Sequence, residues 1–136
     1  MNKVFTYGTL MCEDILQTIV DQHECLGTTR LQGFRRLCIR NEHYPGIIQA
    51  SDYEVQGIVY NLPQQDSLHK LDYFEGDMYQ RIPVSVELDN GDCLQAFTYV
   101  IKDHYRHMLE QKDWDFEVFK KHYKSAFITT YSGFAP

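Results

Sequence analysis

The pair Asn90-Gly91 is the feature of this sequence that most constrains the fold. It lies between residues 82–88 and residues 94–100, and both runs are rich in β-branched and aromatic residues. An Asn-Gly pair flanked by such runs is the strongest short-range signal for a β-hairpin. The sequence therefore predicts two antiparallel strands joined by a tight turn.

Hydrophobic patterns predict further strands before this hairpin. The segments are residues 4–7, residues 31–39, residues 44–48 as a turn that enters a strand, and residues 55–62. Gly33 and Gly57 interrupt two of these patterns. Glycine within a strand is typical of a bulge or of a tight bend in a barrel, so we expect a curved sheet.

Apolar residues at helical spacing predict two helices between the strands. The first begins at Glu13 or Asp14, whose negative charges suit the first turn of a helix. The second covers residues 66–75 and stops at Gly76, because glycine adopts the left-handed conformation that commonly ends a helix.

A last helix is predicted to open at Asp113 or Asp115. One side of it carries the aromatic residues Phe116, Phe119, Tyr123 and Phe127. Strands followed by helices in this order indicate an α+β fold with a largely antiparallel or mixed sheet that curls into a barrel.

Composition narrows the class of protein. We interpret the 136 residues as one domain, residues 1–136, and the formal charge of −6 without a basic run argues against nucleic-acid binding. No segment approaches the roughly 18 apolar residues of a membrane span. Four cysteines without CxxC spacing and no secretory leader favour reduced thiols in a cytoplasmic protein. The sequence does not indicate an oligomeric state.

The segment Tyr7-Gly8-Thr9-Leu10 is a candidate anion site. A strand that ends at a glycine and turns into a helix leaves several N–H groups without intrahelical acceptors, and glycine lets the backbone approach a ligand closely. An ordinary strand-to-helix turn without a ligand has the same pattern, so both interpretations stand at this point.

Glu75 is a candidate proton acceptor. It shares a helix face with Leu68 and Leu71, which predicts that it points toward the core. Burial raises the pKa of a carboxyl group, and the last turn of a helix disfavours its negative charge. A frayed helix end with Glu75 in solvent is the alternative. Asp72 is interpreted as a surface or capping residue.

Three tyrosines are candidate pocket residues: Tyr7, Tyr44 and Tyr79. Their hydroxyl groups can donate hydrogen bonds to a ligand, although half-buried core tyrosines are equally consistent with the pattern. His104 and His107 have i, i+3 spacing but no third ligand nearby in the sequence, so no metal site is expected.

The order of these motifs resembles the γ-glutamylcyclotransferase-like family, which includes AIG2-like proteins and γ-glutamylamine cyclotransferases. The resemblance covers roughly residues 3–101. The matching segments are Tyr7-Gly8-Thr9-Leu10, Tyr44-Pro45-Gly46-Ile47, Gly57-Ile58-Val59-Tyr60, Leu71-Asp72-Tyr73-Phe74-Glu75-Gly76 and Tyr79-Gln80-Arg81. In addition, Trp114-Asp115-Phe116-Glu117 and Gly133-Phe134 are similar to the C-terminal helix of the AIG2-like subgroup.

The resemblance implies a small mixed six-stranded β-barrel with flanking helices. It also implies a cofactor-free reaction in which a small γ-glutamyl amine or related derivative cyclises to 5-oxoproline. Glu75 would be the general acid and base, and the backbone of Tyr7–Leu10 would hold a substrate carboxylate or the developing oxyanion. Tyr79 would contribute a pocket hydroxyl. Arg81 would pair with a substrate carboxylate or form a structural ion pair.

A non-catalytic AIG2-like protein that binds small molecules or partners is the alternative. The two interpretations differ in what they require of Glu75. An enzyme needs this side chain in a pocket beside the N–H groups of Gly8 to Leu10, whereas a binding protein has no need for it there.

Overall fold

Six β-strands form one curved sheet in the computed structural model, which describes residues 2–131. The strands are β1 (Lys3–Thr6), β2 (Glu24–Ile39), β3 (Pro45–Asn61), β4 (Tyr79–Leu88), β5 (Cys93–Ile101) and β6 (Leu109–Asp113). The order across the sheet is β3-β1-β5-β4-β2-β6, and β3 also pairs with β2. This additional pairing closes five strands into a barrel, with β6 attached to the outside of β2.

The barrel is mixed. β1 and β5 pair in parallel, with Val4 opposite Phe97, and the other pairs are antiparallel. The predicted α+β class with a small mixed barrel and flanking helices is confirmed, although five strands rather than six form the closed barrel. The parallel pair matters for the site, because it places the ends of β1 and β5 side by side.

The predicted hairpin joins β4 and β5. Glu87 pairs with Cys93, and the Leu88 N–H donates to the Asp92 carbonyl at 2.8 Å. Gly91 has a φ of +92°, a conformation that glycine adopts without steric cost. The Asn-Gly signal therefore located this turn correctly.

Two strands are longer than predicted. β2 begins at Glu24 instead of residue 31, and β3 runs without a break from Pro45 to Asn61. The predicted turn at residues 44–48 and the predicted strand at residues 55–62 are thus parts of one strand. Between them, Gln49 pairs with Phe34 and Glu54 pairs with Gln32 of β2, a partner that local hydrophobicity did not reveal.

The two strand glycines have different roles. Gly33, with a φ of +82°, lies at the register shift between Gln32 and Phe34, so the predicted bulge is confirmed there. Gly57 instead permits close packing, since a Cβ atom on it would lie 2.1 Å from the Thr6 carbonyl oxygen.

Helices α1 (Glu13–Ile19) and α2 (Ser67–Glu75) lie close to their predicted positions. Gly76 ends α2 with a φ of +80° and donates to the Asp72 carbonyl. Three elements within residues 2–131 were not predicted. They are the 3₁₀ helices Thr9–Met11 and Asp103–Met108 and the strand β6, whose residues are nearly all polar and exposed.

The C-terminal helical segment has three parts: α3 (Phe116–Val118), a π-helical segment (Phe119–Tyr123) and α4 (Lys124–Tyr131). Asp115 caps it by accepting a hydrogen bond from the Val118 N–H, as predicted for one of two candidates. Tyr123 leaves the predicted aromatic face and stacks on His43 with 41% of its surface exposed. The predicted similarity at Gly133-Phe134 lies outside the described residues.

The core has two parts. One fills the barrel and includes Phe5, Ile47 and Val59. The other lies between the barrel and the helices and includes Leu16, Leu71, Phe119 and Phe127. None of the helices within residues 2–131 is long and apolar enough to cross a membrane.

Candidate active site

An inner cavity lies where β1 ends against α2, β4 and β5. It is small, about 30 Å³, which is room for a single polar group of roughly the size of a water molecule. The structure brings all seven predicted site residues to it: Tyr7, Gly8, Thr9, Leu10, Tyr44, Glu75 and Tyr79. Pro45 and Tyr99 also line the cavity, and neither was predicted as a site residue.

The loop from Gly8 to Leu10 lines this cavity, and its N–H groups have no acceptor in the described part of the protein. Within residues 2–131, no carbonyl or side chain accepts a hydrogen bond from the N–H groups of Gly8, Thr9 or Leu10. The Gly8 carbonyl accepts from the Met11 N–H at 3.0 Å, which holds the turn. The loop can therefore donate several hydrogen bonds to an anionic or carbonyl oxygen in the cavity.

Gly8 is required by packing rather than by an unusual φ angle. Its φ is −131°, which other residues also adopt, but a Cβ atom would lie 2.8 Å from Pro45 Cδ. Arg36 holds the residue before it, because its Nη1 donates to the Tyr7 carbonyl at 2.7 Å. Pro45 and Arg36 thus fix the loop from two sides.

Glu75 ends α2 with its side chain in the cavity. Glu75 is partly exposed, but protein surrounds its carboxyl group closely. Desolvation, with a smaller contribution from the negative charge of Asp72, raises the pKa of Glu75 to about 8. No group within residues 2–131 donates a hydrogen bond or forms an ion pair to this carboxylate. It is therefore available to a ligand.

The Asp72 side chain is held by two residues next to the site. The interpretation of Asp72 as a surface or capping residue was therefore wrong. Its Oδ1 accepts a 2.6 Å hydrogen bond from the Tyr99 hydroxyl, and its Oδ2 lies 3.2 Å from Arg81 Nη1. Arg81 accordingly forms a structural ion pair, one of its two predicted roles. These contacts place a fixed negative charge one helical turn before Glu75.

Two of the tyrosine hydroxyls in the cavity donate to backbone carbonyls, whereas that of Tyr44 donates to the Glu42 carboxylate. Tyr7 donates to the Tyr99 carbonyl at 2.6 Å, and Tyr79 donates to the Pro45 carbonyl at 2.7 Å. Burial, followed by neighbouring groups that include Glu75, raises the pKa of both phenols well above the ordinary tyrosine value. Tyr7 and Tyr79 therefore stay neutral and brace the walls of the cavity.

Tyr44 connects the inner cavity to a larger outer one. The outer cavity has a volume of about 200 Å³ and shares Thr9, Tyr44, Glu75 and Tyr79 with the inner cavity. Phe74 and Phe127 form its remaining aromatic walls. Glu75 thus stands at the junction between a small polar cavity and a wider, mostly apolar one.

Three contributors to the site were missed because their signals are not local. Tyr99 is an ordinary strand aromatic in the sequence and reaches the site only through the parallel pairing of β1 with β5. Phe127 matched a core pattern, and Arg36 lies within a strand far from the loop that it holds. Among residues 2–131, no group of three His, Cys, Asp or Glu side chains is placed to hold a metal ion.

Comparison with known proteins gives the family. A family model described as gamma-glutamyl cyclotransferase, AIG2-like, matches residues 4–116. AIG2-like protein D of Arabidopsis thaliana is 33% identical over 144 residues, with 99% of this chain and 90% of the relative covered.

Two solved structures show the same fold. A solution structure of an Arabidopsis thaliana protein superposes with a TM-score of 0.72 at 28% identity, covering 98% of this chain and 89% of the other. A structure named gamma-glutamyl cyclotransferase has a TM-score of 0.65 at 20% identity, with coverage of 80% and 68%. The chain belongs to the gamma-glutamyl cyclotransferase, AIG2-like family.

Proposed function

We propose that this protein is a γ-glutamyl cyclotransferase that converts a γ-glutamyl amine or related γ-glutamyl derivative to 5-oxoproline and releases the amine. The observation that carries the proposal is the placement of Glu75. An unpaired carboxyl group with a pKa of about 8 lies in the same cavity as the free N–H groups of Gly8 to Leu10. A base and an oxyanion site side by side are what this cyclisation needs.

Glu75 acts first as a base. The substrate α-amino group is protonated near neutral pH, and the Glu75 carboxylate takes one of its protons. The amine nitrogen then attacks the γ-carbonyl carbon, a C–N bond closes the five-membered ring, and the carbonyl electron pair moves to oxygen. Because nucleophile and electrophile belong to one molecule, holding the substrate curled supplies much of the rate acceleration.

Glu75 acts second as an acid. The tetrahedral oxyanion re-forms the carbonyl, the bond to the leaving nitrogen breaks, and the proton on Glu75 passes to that nitrogen. The ring nitrogen, which carries two hydrogens after the attack, releases one of them to solvent and becomes the lactam N–H. The carboxylate is regenerated, and 5-oxoproline and the free amine are the products. A pKa near that of the reacting amine suits a group that must accept and return the same proton.

The Gly8 loop stabilises the intermediate. The inner cavity admits one small polar group, and the loop from Gly8 to Leu10, whose N–H groups have no acceptor in the described part of the chain, lines it. The γ-carbonyl oxygen fits this place, since it gains negative charge as the ring closes. Donors fixed by Pro45 and Arg36 need no reorganisation at that moment.

A cytoplasmic location is part of the proposal. All four cysteines are free thiols, which agrees with a reducing compartment.

The test is release of 5-oxoproline from a panel that contains γ-glutamyl-ε-lysine, γ-glutamyl dipeptides and glutathione. We expect release from at least one class, and the amine or amino acid formed with it identifies the leaving group. No release from any member, together with measurable binding of γ-glutamyl compounds, would instead favour the non-catalytic alternative.

A further inference from the structure

One wall of the outer cavity comes from the C-terminal helical segment. Phe127 of α4 is buried, with 4% of its surface exposed, and lines this cavity together with Glu75. Its ring centroid lies 6.3 Å from that of Tyr44 and 6.4 Å from that of Phe74. The family model ends at residue 116, so Phe127 lies outside the matched region.

Several contacts fix the position of Phe127. Its ring packs at 5.7 Å against Phe119, which is fully buried. Lys124 Nζ lies 2.9 Å from Asp14 Oδ2, which attaches α4 to α1. The intervening π-helical turn contains an extra residue and brings Phe119 and Phe127 toward the same face. These contacts hold the Phe127 ring in place as part of the wall of the outer cavity.

The two ends of the site differ in polarity. The inner end has free N–H donors and the Glu75 carboxylate, whereas Phe74 and Phe127 line the outer end. Among the described residues that line the outer cavity, Glu75 is the one charged side chain. The γ-glutamyl group carries an ammonium and a carboxylate, so it belongs at the polar end, and the substituent of the leaving amine faces the aromatic end.

We propose that Phe127 determines the specificity of the site for the leaving amine, and that the preferred amine carries an apolar chain that packs against Phe127 and Phe74. The proposal rests on the proposed function and extends it. The apolar chain gains free energy by leaving water for an aromatic surface, until the length of the cavity is filled.

The test uses γ-glutamyl n-alkylamides from methyl to hexyl, with 5-oxoproline release as the readout. In the wild-type protein, kcat/KM should rise roughly fourfold for each added methylene and then fall once the chain exceeds the cavity. In Phe127→Leu, the chain length with the highest kcat/KM should increase by about one or two methylenes, because the smaller side chain leaves space at the wall that Phe127 forms.

Phe34→Leu is the matched control. It removes the same number of atoms from a buried ring, but Phe34 belongs to the other part of the core and lines neither the inner nor the outer cavity. We expect it to lower stability without changing the preferred chain length. If Phe127→Leu does not fold, the wild-type protein still tests the proposal. A wild-type kcat/KM that is independent of the length of the alkyl chain overturns it.

Other outcomes separate this inference from the proposed function. If Phe127→Leu lowers kcat/KM by the same factor for every amide, Phe127 contacts the γ-glutamyl group or only supports the fold, and the inference is wrong while the cyclotransferase activity stands. If no amide and no member of the γ-glutamyl panel releases 5-oxoproline, the proposed function fails, and this inference with it.

Discussion

The Tyr99 hydroxyl donates a 2.6 Å hydrogen bond to Asp72 Oδ1 and thereby fixes a carboxylate next to Glu75. Tyr99 belongs to β5, and its carbonyl accepts from the Tyr7 hydroxyl, so the same residue connects α2 to the end of β1. The negative charge of Asp72 adds to desolvation in raising the pKa of Glu75. The hydrogen bond between Tyr99 and Asp72 thus helps to set the pKa of Glu75, although neither residue takes part in the proposed reaction.

Asp72→Asn should shift the pH dependence of the reaction to lower pH. The free carboxylate of Glu75 is the reactive form, so kcat/KM of the wild-type protein should rise as pH increases through about 8. Removing the charge of Asp72 lowers the pKa of Glu75, and the rising limb should move down by roughly half a unit to one unit.

Asp66→Asn is the control for this shift, because Asp66 lies at the opposite end of α2. Its pH profile should match that of the wild-type protein. A rising limb that stays in place, or moves to higher pH, in Asp72→Asn would mean that Asp72 does not influence the base.

Glu75→Gln should make the folded protein more stable at alkaline pH. The pKa of Glu75 is about 8 in the folded protein against an ordinary value of 4.5, so the folded state binds the proton more tightly. Wild-type stability should consequently fall as pH rises from about 4.5 to about 8, and the loss should persist above that range.

Urea unfolding at pH values below and above this window measures the effect. The glutamine variant should exceed the wild-type free energy of unfolding by on the order of 3 kcal/mol at alkaline pH, and by much less in acid. Glu110→Gln, at an exposed position of β6, should show no such difference. If the free energies of unfolding of the wild-type protein and Glu75→Gln changed with pH in parallel, the result would contradict a raised pKa of Glu75 in the folded protein.

Gly8→Ala should impair both the loop and the reaction. The added Cβ atom would lie 2.8 Å from Pro45 Cδ, so the loop must shift, at a cost of roughly 1–3 kcal/mol in folding free energy. The shift misplaces the N–H donors, and we expect kcat to fall by about 10-fold or more.

Gly91→Ala serves as the comparison, since Gly91 lies in the distant hairpin at a φ of +92° with open space around it. It should lower stability through backbone strain while leaving kcat unchanged. Equal effects of the two glycine substitutions on kcat would argue that the Gly8 loop has no direct part in the chemistry.

The sequence was most informative where the signal is local. Asn90-Gly91 specified the hairpin, and Gly76 specified the end of α2. The helical spacing of Leu68, Leu71 and Glu75 predicted that the carboxyl group points inward, and Glu75 lines a cavity in the structure. Each of these features depends on neighbours within two helical turns or one hairpin, which is the range over which sequence patterns act.

The remaining features depend on contacts between distant segments. The length of β3 follows from its pairing with β2 rather than from its own hydrophobicity. Asp72 looks like a surface residue until β4 and β5 bring Arg81 and Tyr99 against it. Phe127 was predicted on the apolar face of the last helix, but the cavity that it lines is formed with Tyr44 and Phe74 from distant segments of the chain.

The most direct measurement of the central claim compares 5-oxoproline release by the wild-type protein, Glu75→Gln and Glu110→Gln on the best γ-glutamyl substrate of the panel. Equal circular dichroism spectra would establish that all three proteins are folded. We predict that Glu75→Gln lowers kcat by about 100- to 10,000-fold, because the proton acceptor is lost, while Glu110→Gln retains the wild-type rate. Turnover by Glu75→Gln at the wild-type rate would show that Glu75 is not the base.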